Sequence, residues 1–217
     1  IQTQDPTPAS ESNIETTQIQ EELQTMLRPS EHQERDVIRL LVCYGNKMIQ
    51  VESGEMDSSN HPIMMDISLA ELIVHELQND NILFDNLNYA TIFNEFVSQL
   101  SEEKIPESVF FVEHPNADIA SLAIDFVSAP HILANWENHG IYTTIEEEIL
   151  KIAAYKSIFA LKSRKLDGMI NNVQIELKEI KNEAESIALL QTLSNLNNAR
   201  REFKKSLGWW QDVKKIN

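Results

Sequence analysis

The chain has 217 residues, 42 % of them apolar, with five glycines, seven prolines, one cysteine and a net charge of −16. The apolar fraction supports the core of one ordinary domain, and the scarcity of turn residues argues against a strand-rich fold and for an all-α one. A single cysteine excludes a disulfide framework and a cysteine-rich zinc site and fits a reducing compartment, and there is neither a signal peptide nor an apolar run of about 18 residues to span a membrane.

The chain opens on Ile1 rather than Met, which reads as a piece of a longer protein. Residues 1–29 are rich in Gln, Thr, Ser, Glu and Pro, a linker composition. Order is expected from Ser30, which with Gln33 has capping-box spacing. Val37, Leu40, Leu41 and Tyr44 then form a helical stripe that ends at Gly45. Cys43 sits on this apolar face and reads as a buried structural thiol. Asn46 to Val51 is the only stretch with strand character, and the polar residues 52–62 read as a loop.

A second helix is expected over Ser68–Gln78, with Leu69, Leu72, Ile73 and Leu77 inward. A third is capped by Asn88 and carries Ile92, Phe93, Phe96 and Leu100. Pro106 starts a short fourth, and Asn116 caps a fifth that turns Ile119, Leu122, Ala123, Phe126 and Val127 inward. A helical turn over His131–Asn138 is broken by Gly140. Thr144 with Glu147 is another capping box, and the longest element begins there.

Ile145, Ile152, Phe159, Leu166, Val173 and Ile180 recur every seventh position, one side of a very long helix. From Leu166 the apolar residues tighten to Leu166, Ile170, Val173, Leu177 and Ile180, the spacing of a helix with a single partner. A turn near Lys181–Glu185 and a helix over Ser186–Leu207 supply that partner, and Gly208 is placed to end it. The expected architecture is a six-helix bundle subdomain over 30–165, whose sixth helix leads into an antiparallel helical hairpin over 166–208 and a tail over 209–217. Gly168, mid-helix near this joint, is a candidate hinge.

Charge is divided along the chain. Residues 1–143 carry 24 acidic and 5 basic side chains, and residues 144–217 carry 10 and 13. An acidic body repels phosphate, so direct nucleic-acid binding is not expected of this piece. The basic clusters at Lys162, Arg164, Lys165 and at Arg200, Arg201, Lys204, Lys205 read first as solvated helix surface, and second as steering onto an acidic partner protein.

Enzymatic motifs are missing. His75-Glu76 begins the helical zinc-protease pattern, but Asn79 stands where the second histidine is required. There is no Glu-x-x-His, no phosphate-cradling glycine loop, no nucleophile elbow and no Asp-x-Asp pair. No catalytic or metal-ligating residue is therefore expected, and His114 and His131 read as capping or core residues.

The order of these elements resembles the C-terminal helicase-binding domain of bacterial replicative DNA primase. Glu34-Arg35-Asp36-Val37-Ile38-Arg39-Leu40-Leu41 looks like the opening helix of that domain. Phe111-Val112-Glu113-His114-Pro115, the Ala117–Val127 helix and Pro130 look like its middle. Asn135-Trp136-Glu137 with Ile141-Tyr142-Thr143 looks like the lead-in to its long helix, as in primases of the Bacteroides group. The resemblance covers about Ser30 to Leu207. It implies a bacterial cytoplasmic protein at the replication fork, monomeric alone, whose bundle stimulates the replicative helicase and whose hairpin docks on the helicase N-terminal domain. The linker 1–29 would lead to a missing catalytic part that makes RNA primers using zinc and magnesium, with no cofactor in this piece. Candidate docking residues are Leu189, Leu190, Leu193, Leu196, Arg200, Arg201, Phe203 and Leu207, with Trp209 and Trp210 beside them. Most are expected to pack the hairpin core, with one of Leu189 and Leu190 facing outward. A helical adaptor that uses the same arm for an unrelated partner is the alternative.

Overall fold

A computed structural model describes residues 30–128, 146–180 and 182–212. The expected linker 1–29, the turn at His131–Asn138, Gly140, the Thr144 capping box, Ile145, His131, the Trp136 motif and the residues beyond Asp212 lie outside them. In chain order the elements are α1 (Glu31–Tyr44), β1 (Met48–Met56), β2 (Pro62–Ser68), α2 (Leu69–Asn79), α3 (Leu87–Ser101), α4 (Ser108–Val112), α5 (Ala117–Ser128), α6 (Glu146–Glu179) and α7 (Glu183–Asp212).

The protein is mainly α-helical, but not all-α. β1 and β2 form an antiparallel ribbon where a short strand and a loop were expected. The reason is local. Ile49 and Val51 of β1, and Ile67 and Ser68 of β2, are the large or buried residues that turn toward the body, with Ser53 half-buried beyond them, so the apolar period-2 signal is confined to one end. The far end runs out into solvent with polar residues and Gly54 at a left-handed φ of 82°, which looks like a loop in sequence.

α1 is the hub of the body and packs against α2, α3, α4, α5 and α6. Val37, Ile38 and Leu41 are fully buried on it. Gly45 ends α1 with helical dihedrals, so its role is close approach rather than a left-handed cap. A Cβ there would stand 3.1 Å from the Phe96 ring, and the Gly45 carbonyl accepts from Ala70 N–H at 3.0 Å. Ser68 starts α2 by a full capping box. Its hydroxyl accepts from Glu71 N–H at 3.1 Å, and the Glu71 carboxylate accepts from Ser68 N–H at 2.6 Å. α3 is capped by Asn86 rather than Asn88, because the Asn86 side-chain oxygen accepts from Asn88 N–H at 2.9 Å. Asn116 opens α5, accepting from Asp118 N–H at 2.9 Å. His114 receives Asn116 N–H on Nδ1 and meets Glu95 through Nε2 at 2.8 Å, a structural clamp between α3 and the α4–α5 turn.

α6 is continuous over 34 residues, about 50 Å at the helical rise. In its first half Leu150, Ala153, Ala154, Ile158 and Leu161 are almost fully buried against the body. This seam is offset from the heptad line Ile152–Phe159–Leu166, which is only half-buried. α6 is covered by the body on one face while its heptad flank turns toward α7. Phe159 accordingly packs against Phe203, the rings tilted by 54° with 4.8 Å between centroids.

Candidate docking surface on the helical arm

α7 runs back along α6. Its partners Arg200 and Phe203 meet Asp167 and Phe159, so the two helices are antiparallel. Among the described side chains of α7 the half-buried ones are Ser186, Leu189, Leu193, Leu196, Arg200 and Phe203, a 3-4 repeat with Asn197 beside it. They face the half-buried Leu166, Val173, Leu177 and Ile180 and the buried Ile170 of α6. This is the geometry of a two-helix seam, and apart from Ile170 each side chain in it is shielded on one side only.

The seam sorts the candidate residues. Leu189, Leu193, Leu196 and Phe203 belong to the hairpin interior. Leu190 is 55 % exposed. Of the adjacent pair, Leu189 therefore packs inward and Leu190 points to solvent. Arg200 is folded back onto Asp167 at 2.9 Å, as an ion pair whose N–H is not aligned for a hydrogen bond. Arg201 is exposed. The backbone of α7 runs helical through Leu207, Gly208, Trp209 and Trp210, so Gly208 does not end the helix. The side chains of those four residues lie outside the described ones.

Sequence reasoning missed Ile187, which is 60 % exposed one position after the seam residue Ser186. With the seam at Ser186, Leu189, Leu193 and Leu196, helical spacing places Ile187, Leu190, Ser194, Asn197, Arg201 and Lys204 along a single flank. That flank is apolar toward the turn, small and polar in the middle, and cationic toward the body. The signal was available: Ile187 and Leu190 are three apart and neither fits the seam repeat. A shallow, open depression lined by Ser194, Asn197, Asn198, Arg200, Arg201 and Lys204 marks the cationic end.

The root of the arm is anchored by buried charge. Glu34 of α1 is fully buried, and its carboxylate accepts from Asp85 N–H at 2.8 Å, Asn86 N–H at 3.1 Å and Ser30 Oγ at 3.0 Å. Lys165 of α6 completes it, reaching Glu34 at 2.7 Å and Asp85 at 2.8 Å. Ser30 therefore turns into this cluster and makes no capping bond to its own helix. Three residues earlier in α6, Lys162 bridges Glu76 and Asp80, each at 2.8 Å. Burial pulls the Lys162 ammonium down, but the hydrogen bonds and charges of Asp80 and Glu76 outweigh it and hold its pKa above the ordinary value. Lys162 and Lys165, expected as solvated surface or steering charge, instead clip α6 to the acidic body. The acids that meet them are far away in sequence, so the pairing is visible only in the fold.

Gly168 lies just past this clip, within an unbroken helix. A Cβ added to it would meet nothing within 4 Å, so close packing does not require the glycine. Cys43 is half-buried, and burial raises its thiol pKa against the opposing charge of Arg39. That direction opposes thiolate formation at this position. Among the described residues no group of three or more His, Cys, Asp or Glu side chains is placed to hold a metal ion, and no helix is long and apolar enough to cross a membrane.

Fold and surface together define a mainly helical body that carries a long, partly apolar helical arm. A family model described as a domain of unknown function, DUF8430, matches residues 15–210, and the chain belongs to that family. No curated protein and no solved structure matches the chain.

Proposed function

We propose that this chain is a protein-interaction module, the helicase-binding domain of a bacterial replicative primase, and that its arm docks on the N-terminal domain of the replicative helicase. One observation carries the reading. A single helix passes from a buried seat in a small helical body into an antiparallel hairpin whose flank leaves Ile187 and Leu190 exposed. An amphipathic hairpin laid into an apolar groove is a common way for helices to recognise a partner. Arg201 and Lys204 on the same flank would meet an acidic rim, and the acidic body would stay off the DNA template. Gly168, just past the charged clip, would let the arm bend while bound. In this reading the module works in a bacterial cytoplasm, carries no cofactor or catalytic residue of its own, and recruits primer synthesis to the fork.

The test is titration of the replicative helicase from the same organism with this chain, by calorimetry. Losing one interface anchor costs about 2 kcal/mol, or roughly thirtyfold in affinity, and the Ile187→Ala, Leu190→Ala pair is expected to lose at least that. Unchanged affinity with intact helicity rejects the flank, and no binding by the unaltered chain rejects the helicase as partner.

A second reading is a helical adaptor for an unrelated protein. The β1–β2 ribbon favours it, because a bundle built only of helices is what the primase resemblance implies.

A further inference from the structure

The ribbon is where the molecule offers a second surface. Among the described residues its sheet has two strands. Leu69 N–H donates to Lys47 O at 2.9 Å, and the register pairs Ile49 with Ile67 and Val51 with Met65. Hydrogen-bonded and non-hydrogen-bonded pairs alternate in an antiparallel ladder. Lys47–Leu69, Ile49–Ile67 and Val51–Met65 are therefore the bonded pairs. Ser68, Asp66 and Met64 fall between them and turn their N–H groups away from β1. At Ser68 the outward N–H is taken by the Glu71 carboxylate in the α2 capping box. The next two, on Asp66 and Met64, lie on a stretch that is exposed from Pro62 to Asp66. Apart from β1, the substantial packing of β2 among the described residues is with α2, which follows it.

Edge strands are normally guarded by lysines, prolines or bulges. Here the irregularity lies in β1, between Glu52 and Met56. Pro62 blocks only the start of β2, and from Met48 to Ser68 there is no Lys or Arg at all. The two faces of the ribbon differ. Ile63 and Met65 continue the apolar face of Val51 and Ile67 outward and are 40 % and 45 % exposed. The opposite face sets Glu52 and Asp66 around Met64, whose flexible thioether adapts to varied neighbours.

We propose that the outer edge of β2 is a strand-addition site for an extended basic segment of another protein. The added backbone would bond to Met64 and Asp66, its apolar side chains would lie beside Ile63 and Met65, and its cations would reach Asp66 and Glu52. A second copy of this chain is a poor occupant. Its own β2 is acidic and cation-free, and each copy carries a net charge of −16. Nucleic acid is repelled by the same charge.

The probe is an octapeptide alternating lysine and valine, titrated into the ¹⁵N-labelled full chain. Amide exchange at Met64 and Asp66 is expected to slow by roughly tenfold or more on binding, as new ladder bonds require. Asp66→Lys should weaken binding by roughly tenfold through charge reversal. Met64→Pro removes an outward donor without touching the β1 ladder and should abolish binding at unchanged helical circular dichroism. If that variant unfolds, Asp66→Lys still decides the matter. A peptide of the same composition with lysine and valine at helical spacing should bind far more weakly. Equal binding by both peptides, absence of binding, or protection confined to α7 overturns the proposal. So does protection of β2 in a self-associated chain without peptide.

Discussion

The two halves of α6 are held by different means. In the body half, five residues from Leu150 to Leu161 are essentially inaccessible, and Lys162 and Lys165 reach the half-buried Glu76 and the fully buried Glu34, each with an exposed aspartate beside it. In the arm, Ile170 is the only buried residue among those described, and the rest of the seam is half-covered. Burial stabilises by roughly 25 cal/mol per Å² of apolar surface, so the arm is far more cheaply opened or re-covered than the body. A helix continuous through both joins a stable seat to an element with unspent apolar surface. The joint is an overlap, not a boundary at residue 166. α7 reaches back to Phe159 while the body still holds Lys165.

The largest expected effect lies at that overlap. Lys165→Met removes the cation from a fully buried carboxylate. Breaking a buried pair in this way costs about 3–5 kcal/mol, and the lower end applies because Glu34 keeps the Asp85 and Asn86 N–H donors. Urea unfolding measures it. Adding Glu34→Gln should recover part of the loss, since the orphaned charge is then gone. A cost of less than about 1 kcal/mol would mean that apolar packing alone seats α6.

Leu196→Ala sharpens the contrast by acting on the arm alone. A fully buried leucine truncated to alanine costs about 2–5 kcal/mol, and a half-covered seam position should lose about 1–2. Native-state hydrogen exchange should accelerate across α7 and the distal part of α6 while α1 amides are unmoved. Equal acceleration in α1 would mean that arm and body unfold as one unit.

Much of this contrast was readable in the sequence. The 3-4 repeat from Leu166 to Ile180 placed the arm's seam, but the choice between Leu189 and Leu190 stayed open until the fold set the seam on α7. Ile187 was readable by the same rule and was overlooked. The body half was read less well. Its heptad line pointed to Ile152 and Phe159, whereas a helix covered on one face by the body buries Leu150, Ala153, Ala154 and Ile158. Small residues such as Ala153 and Ala154 carry no weight in a search for large apolar side chains, yet they let α6 approach its neighbours closely. The Lys165–Glu34 pair spans 131 positions and has no local signature. The ribbon escaped because only its base alternates.

Gly168→Ala is the smallest and most discriminating change. A glycine inside a helix costs about 1 kcal/mol against alanine, and here the new methyl group meets nothing within 4 Å. The variant should therefore gain up to about 1 kcal/mol in arm stability, seen as slower exchange around residues 165–172. On the helicase-binding reading proposed above, affinity for the helicase should be unchanged, because no side chain proposed to dock is altered. On the same reading stimulation of the helicase should fall, because a stiffened joint would no longer let the body swing while the hairpin stays bound. The separation of these readouts is what identifies a bend. Higher stability with unchanged stimulation would leave Gly168 as a tolerated glycine and the arm as a rigid extension of α6.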